Sequence, residues 1–183
     1  MKKHPPAGKT GHGIVTVRRR PGHATKGLLS AGNAVFACAL GRSGTSILKR
    51  EGDGATPVSR MAVLGGFYRA DRLKIGPTAL VMRAIRADDG WCDAPGHAAY
   101  NRPVRLPFAK SHERMMRDDR LYDAGLILDW NIKSRRRHRG SAIFFHIARD
   151  GFAPTEGCIA VAPAVMRRLL RHMRRGTVFH VIR

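Results

Sequence analysis

The sequence is poor in acidic residues and contains no long hydrophobic run. Its 183 residues include 13 Asp and Glu against 34 Lys and Arg, which gives a net charge of +21. A membrane-spanning helix needs roughly 18 to 20 consecutive apolar residues, whereas the best apolar stretch, 142–148, is short and contains a histidine. We therefore expect one globular domain that is attracted to polyanions, whether nucleic acid, acidic lipid or a carboxylate-rich polymer.

Cysteine is also scarce. Cys38, Cys92 and Cys158 are odd in number and include no CxxC pair, which excludes a full disulfide framework and a four-cysteine zinc site. At least one thiol is expected to stay free, and a Cys38–Cys92 disulfide stays open as an alternative to two buried thiols. The histidines show no HExxH or other paired ligand spacing, so neither a metal nor another cofactor is predicted.

The order of turns and apolar segments predicts a mainly β domain over residues 14–183, preceded by a basic flexible tail over 1–13. No apolar segment follows the positively charged start of the tail, so no export signal is expected in it. About eight short strands indicate a sandwich or barrel, with one or two peripheral helices at 111–119 and 163–174. The predicted strands are 14–18, 34–40, 61–64, 79–86, 124–130, 142–148, 158–161 and 177–182.

The strongest candidate for chemistry lies between residues 141 and 161. His146 ends one apolar segment and Cys158 begins the next, twelve positions later, so neighbouring strands can bring both side chains to one edge of a sheet. A cysteine nucleophile needs a base, and imidazole is the usual one. Gly157 lacks a Cβ, which lets backbone N–H groups face a developing oxyanion. From the spacing alone, a buried structural histidine and an inert thiol stay open as the alternative.

These residues resemble the L,D-transpeptidase catalytic domain family of the YkuD type, whose signature is a histidine, a loop and then Ser/Thr-x-Gly-Cys. His146 and the run Thr155-Glu156-Gly157-Cys158 match that signature. Segments at 41–57, 89–93, 100–103 and 121–123 extend the resemblance to roughly residues 14–183. Glu156 and Ala160 stand where the commonest members have a histidine or small residue and an arginine, which indicates a divergent bacterial branch.

The resemblance implies a YkuD-like β-sandwich or barrel and a peptidoglycan L,D-transpeptidase. Cys158 would attack a stem-peptide carbonyl and form a thioester, His146 would transfer the protons, and an amine of a second stem peptide would complete the crosslink. With water as the acceptor, the same site would be an L,D-carboxypeptidase. The implied partners are donor and acceptor stem peptides, with a carbapenem as covalent inhibitor and no nucleic acid. The implied location is the periplasm or cell envelope.

Five further residues are candidates for substrate binding. Trp91, Tyr122 and Asn131 offer aromatic and polar walls for a peptide groove, although buried aromatic residues also form cores. Arg102 has a planar fork that suits a carboxylate, and Thr155 belongs to the cysteine motif. A different class of function also stays open, because the basic run 133–139 and the arginine side of the last helix suit a non-catalytic nucleic-acid-binding module.

Overall fold

The computed structural model describes residues 13–183, so nearly all of the predicted tail lies outside the described part of the chain. Two helical segments accompany fourteen strands: α1 (Pro163–Leu170) and a single 3-10 turn at Asp150–Phe152. The strands are β1 (Ile14–Arg19), β2 (Lys26–Ala31), β3 (Ala34–Ala39), β4 (Thr45–Ser46), β5 (Thr56–Pro57), β6 (Arg60–Tyr68), β7 (Met82–Ala84), β8 (Asp89–Cys92), β9 (Arg102–Arg105), β10 (His112–Arg114), β11 (Ala124–Leu128), β12 (Phe144–Ile147), β13 (Ile159–Val161) and β14 (Val178–Val181).

Eight strands form a closed ring in the order β11-β12-β13-β3-β2-β1-β14-β6, because β6 also pairs with β11. Strand β7 extends the sheet outside the ring by pairing with β6. The pairs β1–β14 and β12–β13 are parallel, and the other pairs of the ring are antiparallel. The prediction of a mainly β fold of the sandwich or barrel type is thus confirmed.

The two faces of β12 pack into two different hydrophobic cores. Neighbouring residues of a strand point to opposite faces, so Phe145 packs in the core of the ring while Phe144 packs in a second cluster. A three-stranded sheet, β10-β8-β9, contributes Trp91 to this second cluster. The Trp91 and Phe144 rings meet edge to face at 5.1 Å. Cys158 belongs to the second cluster, so aromatic packing between the two sheets determines where Cys158 lies.

Helix α1 packs against the ring with one side and exposes the other. Met166, Leu169 and Leu170 are buried in the core of the ring, whereas Arg167 and Arg168 face solvent. Proline at the first helical position starts the helix without losing a backbone bond. The predicted helix therefore exists, but it ends four residues before the predicted end at 174. No helix among residues 13–183 is long and apolar enough to cross a membrane.

The prediction of a helix at 111–119 is wrong. Strand β10 lies there instead, antiparallel to β8, with Glu113 opposite Trp91. The Met115 N–H donates to the Asp89 carbonyl at 3.0 Å, so the backbone bonds of this segment go to another strand rather than to the next helical turn. A nine-residue segment gains little from isolated helix formation, and burial of Met115 against the second cluster favours the strand.

Six strands were not predicted from the sequence, namely β2, β4, β5, β8, β9 and β10. In β2 the buried positions are Gly27, Leu29 and Ala31, so two of the three inward side chains are too small to produce a clear alternation. The Cys38–Cys92 disulfide is also not formed. Both thiols are free and buried, with Cys38 inside the core of the ring and Cys92 in β8.

Candidate functional site

Cys158 lies at the entry to β13 with its thiol fixed by the backbone. The Phe144 N–H donates to Cys158 Sγ at 3.3 Å, and the thiol donates to the Ala142 carbonyl at 3.3 Å. Only 8% of the residue is exposed. Burial raises the pKa of the thiol to about 12, and the Phe144 N–H offsets part of this effect. The resting side chain is therefore a neutral thiol rather than a thiolate.

His146 lies on β12, in the strand parallel to β13 and opposite Ala160. Its Nδ1 is 2.8 Å from the Ile147 carbonyl. A carbonyl can only accept, so Nδ1 carries the proton and Nε2 keeps a lone pair. Burial lowers the pKa of the imidazole to about 4. His146 is therefore a neutral base at physiological pH, with the Tyr122 ring edge to face at 5.5 Å.

Two threonine hydroxyls hold the backbone of the cysteine loop. Thr155 Oγ1 donates to the Cys158 carbonyl at 2.7 Å and accepts from the Gly157 N–H at 3.2 Å. Thr56 Oγ1 donates to the same carbonyl at 3.3 Å and accepts from the Gly41 N–H at 2.8 Å. The glycine-rich segment 41–57 thus contacts the cysteine loop directly and supports it.

Gly157 has a conformation that other residues rarely adopt. Its φ is +125°, and a Cβ at this position would lie 2.8 Å from the Ala55 carbonyl oxygen. Both features require glycine here. The residue therefore sets the direction of the backbone immediately before Cys158.

Asn101 connects the second core to the cysteine and was not predicted as a site residue. Its Oδ1 accepts from Trp91 Nε1 at 3.0 Å and from the Ala142 N–H at 3.1 Å, and its Nδ2 donates to the Trp130 carbonyl at 3.0 Å. The residue is fully buried with φ of +57°. Since the Ala142 carbonyl accepts from the Cys158 thiol, Asn101 positions the residue whose carbonyl holds that thiol. A single asparagine in a turn gives no sequence signal for such a role.

Cys158 and His146 line one cavity of about 300 Å³. The protein as a whole carries +21, yet four carboxylates and only two guanidinium groups line this cavity. One carboxylate oxygen of Asp93 is buried without a hydrogen-bond partner among the described residues. The charged residues of the lining are Glu51, Asp93, Glu113, Arg117, Arg149 and Glu156. Glu113 is paired with Arg117 and Glu156 with Arg42, so Glu51 and Asp93 are the lining carboxylates that suit a cationic group of a ligand.

A comparison with protein-family models matches the L,D-transpeptidase catalytic domain (YkuD) over residues 21–181. The chain belongs to this family. Searches of curated proteins and of solved structures found no match. The YkuD family is cysteine-dependent and acts on peptidoglycan, which agrees with a buried cysteine and a neutral histidine that share a cavity.

The predicted substrate-binding residues of this YkuD domain fall into two groups. Tyr122 and Thr155 line the cavity with the cysteine and the histidine. Trp91, Arg102 and Asn131 are not among the lining residues. Trp91 is buried beneath the site, Arg102 is exposed on β9, and the Asn131 amide donates to two carbonyls of its own loop.

Glu156 and Ala160, which depart from the commonest YkuD pattern, lie in different environments. Glu156 forms an ion pair with Arg42 at 2.8 Å, and its side chain is 77% exposed, so its charge is screened by solvent as well as paired. Ala160 is fully buried between β12 and β3.

Within residues 13–183, no three His, Cys, Asp or Glu side chains lie close enough together to hold a metal ion.

Proposed function

We propose that this YkuD domain is a peptidoglycan L,D-transpeptidase in which Cys158 is the nucleophile and His146 is the base. The observation that supports this proposal most strongly is that Cys158 and a neutral His146, with its Nε2 lone pair available, line the same cavity. The buried thiol is fixed by the Phe144 N–H and the Ala142 carbonyl, so its direction is set before substrate binds.

The proposed reaction begins from a neutral pair. Because the pKa of Cys158 is raised to about 12 and that of His146 is lowered to about 4, the thiol keeps its proton until the substrate carbonyl is in place. His146 Nε2 accepts that proton as Sγ bonds to the carbonyl carbon, and then gives it to the departing amine of the terminal residue. The product of this half-reaction is a thioester on Cys158.

The backbone N–H groups of Gly157 and Cys158 are the proposed oxyanion donors, each worth roughly 3 kcal/mol of barrier. The Gly157 N–H donates to Thr155 Oγ1 at 3.2 Å in the absence of substrate. Binding of a developing oxyanion would replace this long hydrogen bond with a charged one, which is stronger.

The acidic lining of the cavity favours an amine as the acceptor. An acceptor stem peptide carries an ammonium group, and Asp93, which lines the cavity, has one carboxylate oxygen without a hydrogen-bond partner among residues 13–183. The ammonium would first lose one proton to solvent. The resulting amine would attack the thioester carbonyl, and His146 would take a second proton from it and give that proton to the departing Cys158 thiolate. Arg149 also lines the cavity with a side chain that is 54% exposed, which makes it the proposed contact for a substrate carboxylate in a domain that has Ala160.

The test uses a purified disaccharide-tetrapeptide donor, with and without an acceptor stem peptide, and mass spectrometry of the products. Transpeptidation predicts a crosslinked dimer and release of the terminal residue by the wild type, and no product from Cys158→Ala. Cys92→Ala, which removes another buried thiol, is the matched control and should react. A tripeptide without any dimer would assign the domain as an L,D-carboxypeptidase. Absence of both products would contradict the proposal.

A further inference from the structure

A second cavity lies on the other side of β12 from Cys158. Its volume is about 310 Å³, and we call it the α1 cavity because Met166, Arg167 and Leu170 of that helix line it. Ile147 lines the α1 cavity, whereas its neighbour His146 lines the Cys158 cavity. Since consecutive strand residues point to opposite faces, the two cavities open on opposite sides of the strand.

Basic side chains without acidic partners surround the α1 cavity. Lys74, Arg120, Arg167 and Arg171 line it, and none of the four has an ion-pair partner among the described residues. The acidic residue in the lining is Asp123, which is paired with Arg72 at 3.2 Å. Four cations held around one cavity repel one another, so an anion bound between them relieves this repulsion.

The lining of the α1 cavity is also apolar. Ile75, Ile147, Met166 and Leu170 contribute hydrocarbon surface, and the last three are buried in the core of the ring. A free inorganic anion would satisfy the cations but leave this surface against water. An anion joined to a hydrocarbon group satisfies both parts, because guanidinium forks bind phosphate and burial of apolar surface is favourable.

We propose that the α1 cavity binds the headgroup and adjoining acyl segment of an anionic phospholipid at a membrane surface. The net charge of +21 draws the whole chain towards such a surface. Four residues beyond Pro77, which lines the cavity, Val81 exposes 80% of its surface. It is the most exposed of the large apolar residues in the described chain. A valine this exposed can enter the interface between headgroups and acyl chains.

This arrangement also fixes how the protein faces the lipid. With the α1 cavity against the membrane, the Cys158 cavity on the other side of β12 faces away from the lipid. It would then face the peptidoglycan on which the proposed function acts. Vesicle binding should therefore leave acylation of Cys158 unchanged. This readout separates the lipid proposal from the proposed catalytic function, since either can fail while the other stands.

The test is co-sedimentation of the full chain with vesicles of phosphatidylcholine and phosphatidylglycerol, compared with phosphatidylcholine alone. The double variant Arg167→Ala/Arg171→Ala should bind the anionic vesicles about thirtyfold more weakly, at the free energy typical of each basic residue near such a surface. Arg136→Ala/Arg137→Ala is the matched control, because it removes the same charge from exposed residues that line neither cavity. The control should bind within about threefold of the wild type.

Four further outcomes bear on the proposal. Ile75→Ser keeps every charge. It should weaken binding of soluble dihexanoyl-phosphatidylglycerol but should not change how strongly inorganic phosphate inhibits vesicle binding. Equal losses of vesicle binding in both double variants would overturn the proposal, because they would show an attraction of net charge without a site. Competition by inorganic phosphate as strong as that by the short lipid would also overturn it. So would binding of duplex DNA that depends on Arg167 and Arg171 in the absence of vesicle binding.

Discussion

His146→Gln should reduce the dependence of folding stability on pH between about 6.5 and 4. An unperturbed histidine has a pKa near 6.5, whereas burial lowers the pKa of His146 to about 4 in the folded protein. Between these pH values the His146 imidazole is protonated in the unfolded chain but stays neutral in the folded protein. The contribution of His146 is therefore fully present above pH 6.5 and is lost progressively as the pH falls towards 4.

The expected loss is about 2 to 3 kcal/mol on going from neutral pH to about pH 4.5, at roughly 1.4 kcal/mol for each unit of pKa difference. His146 is 4% exposed, so solvent screening does not reduce this figure. Hydrogen bonds from Arg69 and Arg117 hold the pKa values of Asp71 and Asp119 below their ordinary value. These carboxylates stay ionised over most of this range and lose their contributions at lower pH.

The assay is denaturant unfolding followed by tryptophan fluorescence, since Trp91 is buried in the second core. The free energy of unfolding is measured at several pH values between about 7.5 and 4.5 for the wild type and the variant. Because the comparison uses the slope against pH, a uniform loss of stability in the variant does not affect it. Equal slopes in the two proteins would refute the conclusion that the fold holds His146 neutral.

Three other variants or reactions test the construction of the site. Gly157→Ala should slow acylation of Cys158 by about a hundredfold, because the new Cβ would meet the Ala55 carbonyl and move the backbone N–H out of position for the oxyanion. Gly151→Ala, with φ of +67° but no atom near its Cβ position, should acylate at the wild-type rate. Asn101→Ala should destabilise the fold by about 3 kcal/mol, because it leaves buried partners without hydrogen bonds, whereas exposed Asn33→Ala should change stability by less than about 0.5 kcal/mol. With its pKa raised to about 12, free Cys158 should react with iodoacetamide slowly at neutral pH and faster as the pH rises.

The sequence predicts best those elements that combine long apolar side chains with a clear boundary. The apolar segment ending at His146 is a strand, and the helix that begins at Pro163 starts where proline favours it. Strand β2 was missed, because Gly27 and Ala31 provide two of its three buried positions and show no hydrophobic period. The helix predicted over 111–119 is wrong, because the segment pairs with β8, and a local sequence pattern does not show such a contact.

In the candidate site, the sequence predicts His146 and Cys158 but not the residues that hold them in place. The spacing between His146 and Cys158 predicts that adjacent strands bring them together, and both side chains line one cavity. The partners of these residues come from the rest of the fold and carry no local signature. Asn101 acts through the peptide of Ala142, and Thr56 reaches the Cys158 carbonyl across 102 positions of sequence. Such contacts are set by tertiary structure and cannot be inferred from spacing.

Covalent capture of Cys158 is the most direct test of the central claim that this residue is the nucleophile and His146 is its base. The measurement is the intact mass of the protein after incubation with a carbapenem. We predict one adduct on the wild type, none on Cys158→Ala, slower formation on His146→Ala, and normal formation on Cys38→Ala, which removes a different buried thiol. An adduct that persists in Cys158→Ala, or a wild-type protein that forms none, would contradict the account.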